Sequence, residues 1–147
     1  SQPSLLLFSA KYMDEQIKIP LELAQKAQSA IDLLFNKLSG VNALLVASVD
    51  GFPIAYRAII DVDANKVAAM ASSFSALGVV VADESHIGSK KVVTLEAEDG
   101  YVILLDISHI DFPMVLSITA SKNTVLAQTL YLARETIKEI QSTTSSL

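Results

Sequence analysis

The sequence predicts an α/β domain built on one five-stranded antiparallel sheet, with two helices on one face, one on the other, and the element order α β β α β β β α. Three observations carry that reading. Two segments near the ends of the organised region repeat apolar residues at helical spacing along one side only. Two Asp-Gly pairs, Asp50-Gly51 and Asp99-Gly100, each sit between short runs of apolar and β-branched residues. Between those hairpins lies Val67 to Ala82, sixteen residues without a charge.

The first helix is expected from about Pro20 to Ser39. Leu23, Ala27, Ile31, Leu34 and Leu38 fall on one side, and Gln25, Lys26, Asp32 and Lys37 face away. Pro20 is tolerated in a first turn, and Gly40 stands where a left-handed C-terminal cap is wanted. From Val41 to Ile60 the pattern becomes two strands around Asp50-Gly51, whose turn is expected to need positive φ at both positions. Leu44, Leu45, Val46 and Val49 load both faces of the first strand, so it is expected to be covered on both sides.

The middle helix, from about Val62 to Ala82, is expected to place Val67, Met70, Ala71, Phe74, Leu77, Gly78 and Val81 against the sheet. Ala69, Ser72, Ser73, Ala76 and Val80 then form an outer face. A surface helix ordinarily carries charge on that side, and small residues let another backbone come close, so the outer face reads as a partner-contact surface. A central helix in a larger monomer is the alternative, but a domain of this length has little material for a third layer. Serines 72, 73 and 75 argue against a membrane span. Asp61-x-Asp63-x-Asn65 opens like a calcium loop, yet Lys66 stands where Gly is needed and Ser72 where a bidentate Glu is needed. Asp61 or Asp63 is better read as the helix cap.

Beyond the loop Asp83 to Gly88, Lys90 to Glu98 alternates Val93, Leu95 and Ala97 with Val92, Thr94 and Glu96. Two further strands follow, YVILLDI and MVLSITA, and then a last amphipathic helix from about Asn123 to Gln141. Lys90-Lys91 at one end of the third strand and Glu96 with Glu98 at the other suit a charge-guarded sheet edge. Such an edge can pair with its twin across a two-fold axis, which would bring two middle helices together.

The 147 residues fit one domain: an N-terminal extension over residues 1–19, the folded unit over 20–141, and a polar tail over 142–147. The chain is 51% hydrophobic and 18% charged, against roughly 45 to 50% and about 25% for an average domain, an apolar excess that a monomer of this size would struggle to hide. The net charge of −5 argues against nucleic acid, which needs a basic face. Zero cysteines exclude thiolate chemistry and suit a cytoplasmic setting. No secretion signal or bilayer-length apolar run is read from it.

Little in the chain suggests catalysis. His86 and His109 have no ligand or nucleophile at useful spacing, and a triad drawn from Asp83, Glu84, Ser85 and His86 would need four consecutive loop residues. The five isolated glycines form no phosphate loop, so no cofactor or metal is expected. Asp106 and Asp111 read as a solvated turn.

The segment ALLVASVDGFPIAYR, from Ala43 to Arg57, lies after a helix and before a long Ala/Ser-rich helix. It resembles the strand-DG-x-P-I hairpin of the Roadblock/dynein light-chain family, whose profilin-like element order also matches from about Leu21 to Ile140. Asn123, read as opening the last helix, adds to the likeness. Asn42 departs from a glycine often found near that first strand, and residues 1–19 have no counterpart.

The resemblance implies a homodimer joined along the third strands at Val92, Thr94 and Glu96, with the middle helices side by side. It further implies a non-enzymatic platform for a Ras-like small GTPase of the bacterial Mgl type, contacted through Ala69, Ser72, Ser73, Ala76 and Val80. Arg57 and Arg134 are the only arginines, one on a strand and one on the last helix, so activation by an arginine finger is not expected. The alternative is a dimeric scaffold for a motor or signalling complex that touches no GTPase. A small-molecule sensor is disfavoured, since no convergent polar cluster is visible.

Overall fold

The computed structural model describes residues 19–144. The extension up to residue 18 and the last three residues of the expected tail lie outside the described residues. The elements are α1 (Leu21–Lys37), β1 (Val41–Ser48), β2 (Pro53–Ala58), α2 (Ala64–Glu84), β3 (Val93–Ala97), β4 (Gly100–Ile107), β5 (Met114–Ser121) and α3 (Leu126–Gln141). The five strands form one antiparallel sheet in the order β2-β1-β5-β4-β3, so β2 and β3 are its edges.

Alternation along β1 shows why both faces need cover. Leu44 and Val46 enter the main core with Leu23, Ile31 and Leu34 of α1 and Ala133, Ile137 and Ile140 of α3. Leu45 and Ala47 face the other way and pack on Ala68 of α2. Ala71 meets Leu104 and Val115 on that same side. α1 and α3 therefore share one face and α2 lies alone on the other, in the predicted order and layering.

Several local expectations change. α1 ends at Lys37 and Leu38 is extended, so Gly40, with φ +80, does not cap it; Gly40 instead turns the chain into β1, its carbonyl accepting from the Ser121 N–H at 2.8 Å and the Thr124 hydroxyl at 3.0 Å. In the first hairpin the Ser48 N–H donates to the Phe52 carbonyl at 2.9 Å, and of the residues this encloses only Gly51 is left-handed, at φ +93, with its N–H on the Ser48 carbonyl at 3.0 Å. In the second hairpin neither Glu98 nor Asp99 has positive φ. Gly100 is needed there for space, because a Cβ would collide with the Ala120 carbonyl oxygen. α3 starts at Leu126, and Asn123 precedes it without capping it.

Asp63 caps α2 as expected of that pair of aspartates, its Oδ1 accepting from the N–H groups of Asn65 (3.1 Å) and Lys66 (3.2 Å). The other end closes in a Schellman arrangement. The His86 N–H reaches the Asp83 carbonyl at 3.1 Å and the Ile87 N–H the Ala82 carbonyl at 3.4 Å, with His86 held at φ +56. Asp83, Glu84, Ser85 and His86 thus lie in the closing turn of α2. His109 is a loop residue but a buried one. Its Nδ1 accepts from the N–H groups of Asp111 and Phe112, both at 3.2 Å, and this assigns the proton to Nε2, which donates to the Thr143 carbonyl at 2.7 Å.

Candidate partner-binding face

α2 crosses the sheet from the β2 edge to the β3 edge, and it sits close because its inner side is small. Ala68, Ala71, Ser72, Ser75 and Ala82 are the buried residues. A Cβ on Gly51 would stand 3.2 Å from the Ala69 Cα, and one on Gly78 only 2.7 Å from the Val93 Cγ2. This rotation corrects the sequence reading of the helix. Of the residues expected against the sheet Ala71 is buried there, but Met70, Phe74, Leu77 and Val81 are between 53% and 61% exposed. Ser72, expected outside, is buried, and its hydroxyl donates to the Ser48 carbonyl at 2.7 Å. Ranking by hydrophobicity sends the largest side chains inward; here close approach demands the smallest ones, and the large ones are left facing out.

Ala69, Ser73, Ala76 and Val80 do lie on the exposed side. The resulting face is broader than the sequence suggested, with two parallel stripes, Ala69-Ser73-Ala76-Val80 and Met70-Phe74-Leu77-Val81, at helical spacing. It carries no charge between Val67 and Ala82. Towards β3 it opens into a shallow groove of about 600 Å³ between the second half of α2 and the segment leading into the strand, walled by Phe74, Leu77, Val81, Ile87 and Val92. By length and composition α2 could also cross a membrane. Its actual placement is on its own sheet, with Ser72 and Ser75 bonded to it.

The strand end of the face is held by a polar cluster. Lys90 Nζ lies 3.1 Å from each carboxylate oxygen of Asp106 and donates to the Ser75 hydroxyl (2.6 Å) and carbonyl (2.9 Å), while that hydroxyl donates to Asp106 at 2.9 Å. The Lys90 side chain is 6% exposed. Asp106 therefore belongs to an ion pair tying α2, β4 and the approach to β3 together, which the reading of Asp106 and Asp111 as a solvated turn missed. A lysine at the start of an edge strand and an aspartate near the end of the next strand were the available signal.

The two sheet edges differ. At β2, Gln28 of α1 accepts from the Tyr56 N–H and donates to the Tyr56 carbonyl, both at 3.0 Å. Arg57 beside it binds Asp32 at 3.2 Å and lies 4.8 Å over the Phe35 ring. At β3, Thr94, Leu95, Glu96 and Ala97 are all exposed, and the strand pairs only with β4 among the described residues. Val92 precedes the strand, half-buried against the main core, with Thr94 and Glu96 following at alternate positions. Leu95 projects to the α2 side, 54% exposed, and extends the apolar face; its alternation with Val93 was the sequence signal for it.

The site is thus a single helix with a bare apolar exterior on one face of a sheet whose other face is covered by two helices. The Roadblock/LC7 domain model matches residues 28–109, more than half of the chain, and the chain belongs to that family. No curated protein matches it. Among solved structures, a Roadblock/LC7 domain from Streptomyces avermitilis is similar at TM-score 0.69 and 16% identity, over 78% of this chain and 93% of that one. MglB of Myxococcus xanthus is similar at TM-score 0.70 and 12% identity, over 84% and 95%. The gliding protein MglB from Thermus thermophilus is similar at TM-score 0.70 and 10% identity, over 81% and 88%. At these identities the likeness is one of fold.

Proposed function

We propose that the chain is a non-enzymatic, cytoplasmic homodimeric platform that binds and regulates a Ras-like small GTPase. The observation that carries this is the uncharged exterior of α2 running into the β3 edge, which pairs only with β4 among the described residues. Monomers rarely leave apolar patches larger than a few hundred Å² in water, and this one is bounded by a strand able to extend its sheet. Because Gln28 occupies the β2 edge, β3 is the edge available to a second copy, with Val92, Thr94 and Glu96 along the seam. Two-fold pairing there sets two α2 helices side by side, and Ala69, Ser73, Ala76 and Val80 become a joint surface for the GTPase. Ser72 supports that surface from beneath.

The regulation uses no arginine finger. Arg57 is engaged by Asp32 and Phe35, and Arg134 lies on α3, on the far side of the sheet from α2. The platform acts by favouring one conformation of its partner, which requires different affinities for the two nucleotide states. The test is molar mass in solution together with retention of a cognate Mgl-type GTPase loaded with GTP or GDP, for the native chain and for Ala76→Arg. A dimer that retains the GTP form preferentially, and loses it on Ala76→Arg, is expected. Equal retention of both forms, or none, rejects the reading.

A further inference from the structure

The two ends of β3 carry opposite charge. Lys90 and Lys91 precede the strand, while Glu96, Glu98 and Asp99 stand at its far end. Lys90 is taken up by Asp106 and Ser75, which leaves Lys91 as the exposed cation. An antiparallel twin of such a strand brings the basic end of one copy to the acidic end of the other, twice over, whereas a parallel twin would set like charge against like. The occupant that the charges of this edge fit is therefore a second copy of the chain, running the opposite way.

Pairing with β4 turns Val93, Leu95 and Ala97 to the α2 side, where Leu104 lies opposite Val93, and turns Thr94 and Glu96 to the side of Ile103 and the main core. Cross-strand partners share a face. In a sheet continued with both α2 helices on one side, the two-fold axis must then pass through a residue of β3 and not between two residues. Ala97 and Gly100 flank a two-residue turn, so the hydrogen-bonded pairs with β4 fall on Ala97, Leu95 and Val93, and the N–H and C=O groups of Thr94 and Glu96 point outward.

An axis at Thr94 sets Glu96 against Val92, which is half-buried on the main core, and leaves Ala97 with no strand residue opposite. An axis at Glu96 puts that carboxylate on its own twin, which is destabilising. An axis at Leu95 pairs all five residues of the strand. It sets the Thr94 hydroxyl against the Glu96 carboxylate and Leu95, 54% exposed in one copy, against itself on the α2 side. Beyond the strand ends Glu98 faces Val92 only from the turn, and Lys91 comes opposite Asp99. We propose that two copies pair along β3 with the axis through Leu95, so that Lys91 of each copy meets Asp99 of the other. This rests on the homodimer reading above and sets its register.

Only a residue on the axis lets a single cysteine meet its twin, and the full chain has no native cysteine to compete. At Leu95 the pair is of the non-hydrogen-bonded kind, with Cα atoms about 4.5 Å apart and within disulfide reach. Leu95→Cys should form an intermolecular disulfide at least about tenfold faster than Thr94→Cys or Glu96→Cys, all three positions being exposed. Lys91→Asp should weaken self-association about tenfold on dilution, and Lys91→Asp combined with Asp99→Lys should restore it to within about threefold. A dimer that links fastest through Thr94→Cys or Glu96→Cys, or that the charge exchange fails to restore, overturns the register and leaves the homodimer standing. A chain that is monomeric at every concentration overturns both.

Discussion

Gln28 grips the backbone of Tyr56 from outside the sheet, accepting its N–H and donating to its carbonyl, each at 3.0 Å. A side-chain amide here does what a sixth strand would do. Gln28→Ala removes both bonds and returns an edge residue's donor and acceptor to water or to another strand. The expected cost is about 1–3 kcal/mol in urea unfolding, with molar mass shifting towards species larger than the native one as β2 becomes available for pairing.

Adjacent serines on α2 should behave oppositely. Ser72→Leu forces a large side chain between helix and sheet where the residue is 8% exposed, so a loss of about 1–3 kcal/mol is expected. Ser73→Leu, one position on, lies on the exposed side and should change unfolding free energy by no more than about 0.5 kcal/mol. Equal effects in chemical denaturation would contradict the rotation of α2 described above.

His86 ends α2 in the left-handed region at φ +56, a conformation that costs a residue with a Cβ about 1–2 kcal/mol. Part of the gain on replacing it with glycine is offset by the greater freedom of glycine in the unfolded chain. His86→Gly is therefore expected to raise the stability by roughly 0.5–1 kcal/mol, visible as a higher Tm.

Burial raises the Tyr56 phenol above its ordinary value; a hydrogen bond with the Val62 backbone opposes the shift, and the charge of Asp61 adds to it. Since the folded protein holds the phenolic proton more tightly than the unfolded chain does, the unfolded state ionises first. The contribution is intact below the unfolded value of about 10 and is lost as pH rises through the folded value. Denaturant midpoints measured from pH 8 upward should fall on the alkaline side in the native chain and fall less in Tyr56→Phe.

Much of the architecture was written in local patterns. The 3.6-residue period of Leu23, Ala27, Ile31 and Leu34, the two-faced apolar loading of Leu44 to Ala47 and the Asp-Gly turns determine element type and order, because each depends on contacts a few residues apart or on a hairpin neighbour. The absence of charge from Val67 to Ala82 marked the helix with the exposed face. What only the tertiary structure decided is how that helix is turned. Hydrophobicity alone would bury Met70, Phe74, Leu77 and Val81, but the spacing between helix and sheet is set by Ala68 meeting Leu45 and Ala47, Ala71 meeting Leu104 and Val115, and Ser72 and Ser75 bonding to Ser48 and Asp106, residues distant in sequence. Packing distance between two elements is a property of the pair. It could not be read from either element alone, and neither could the Lys90–Asp106 contact or the closing of one sheet edge by Gln28.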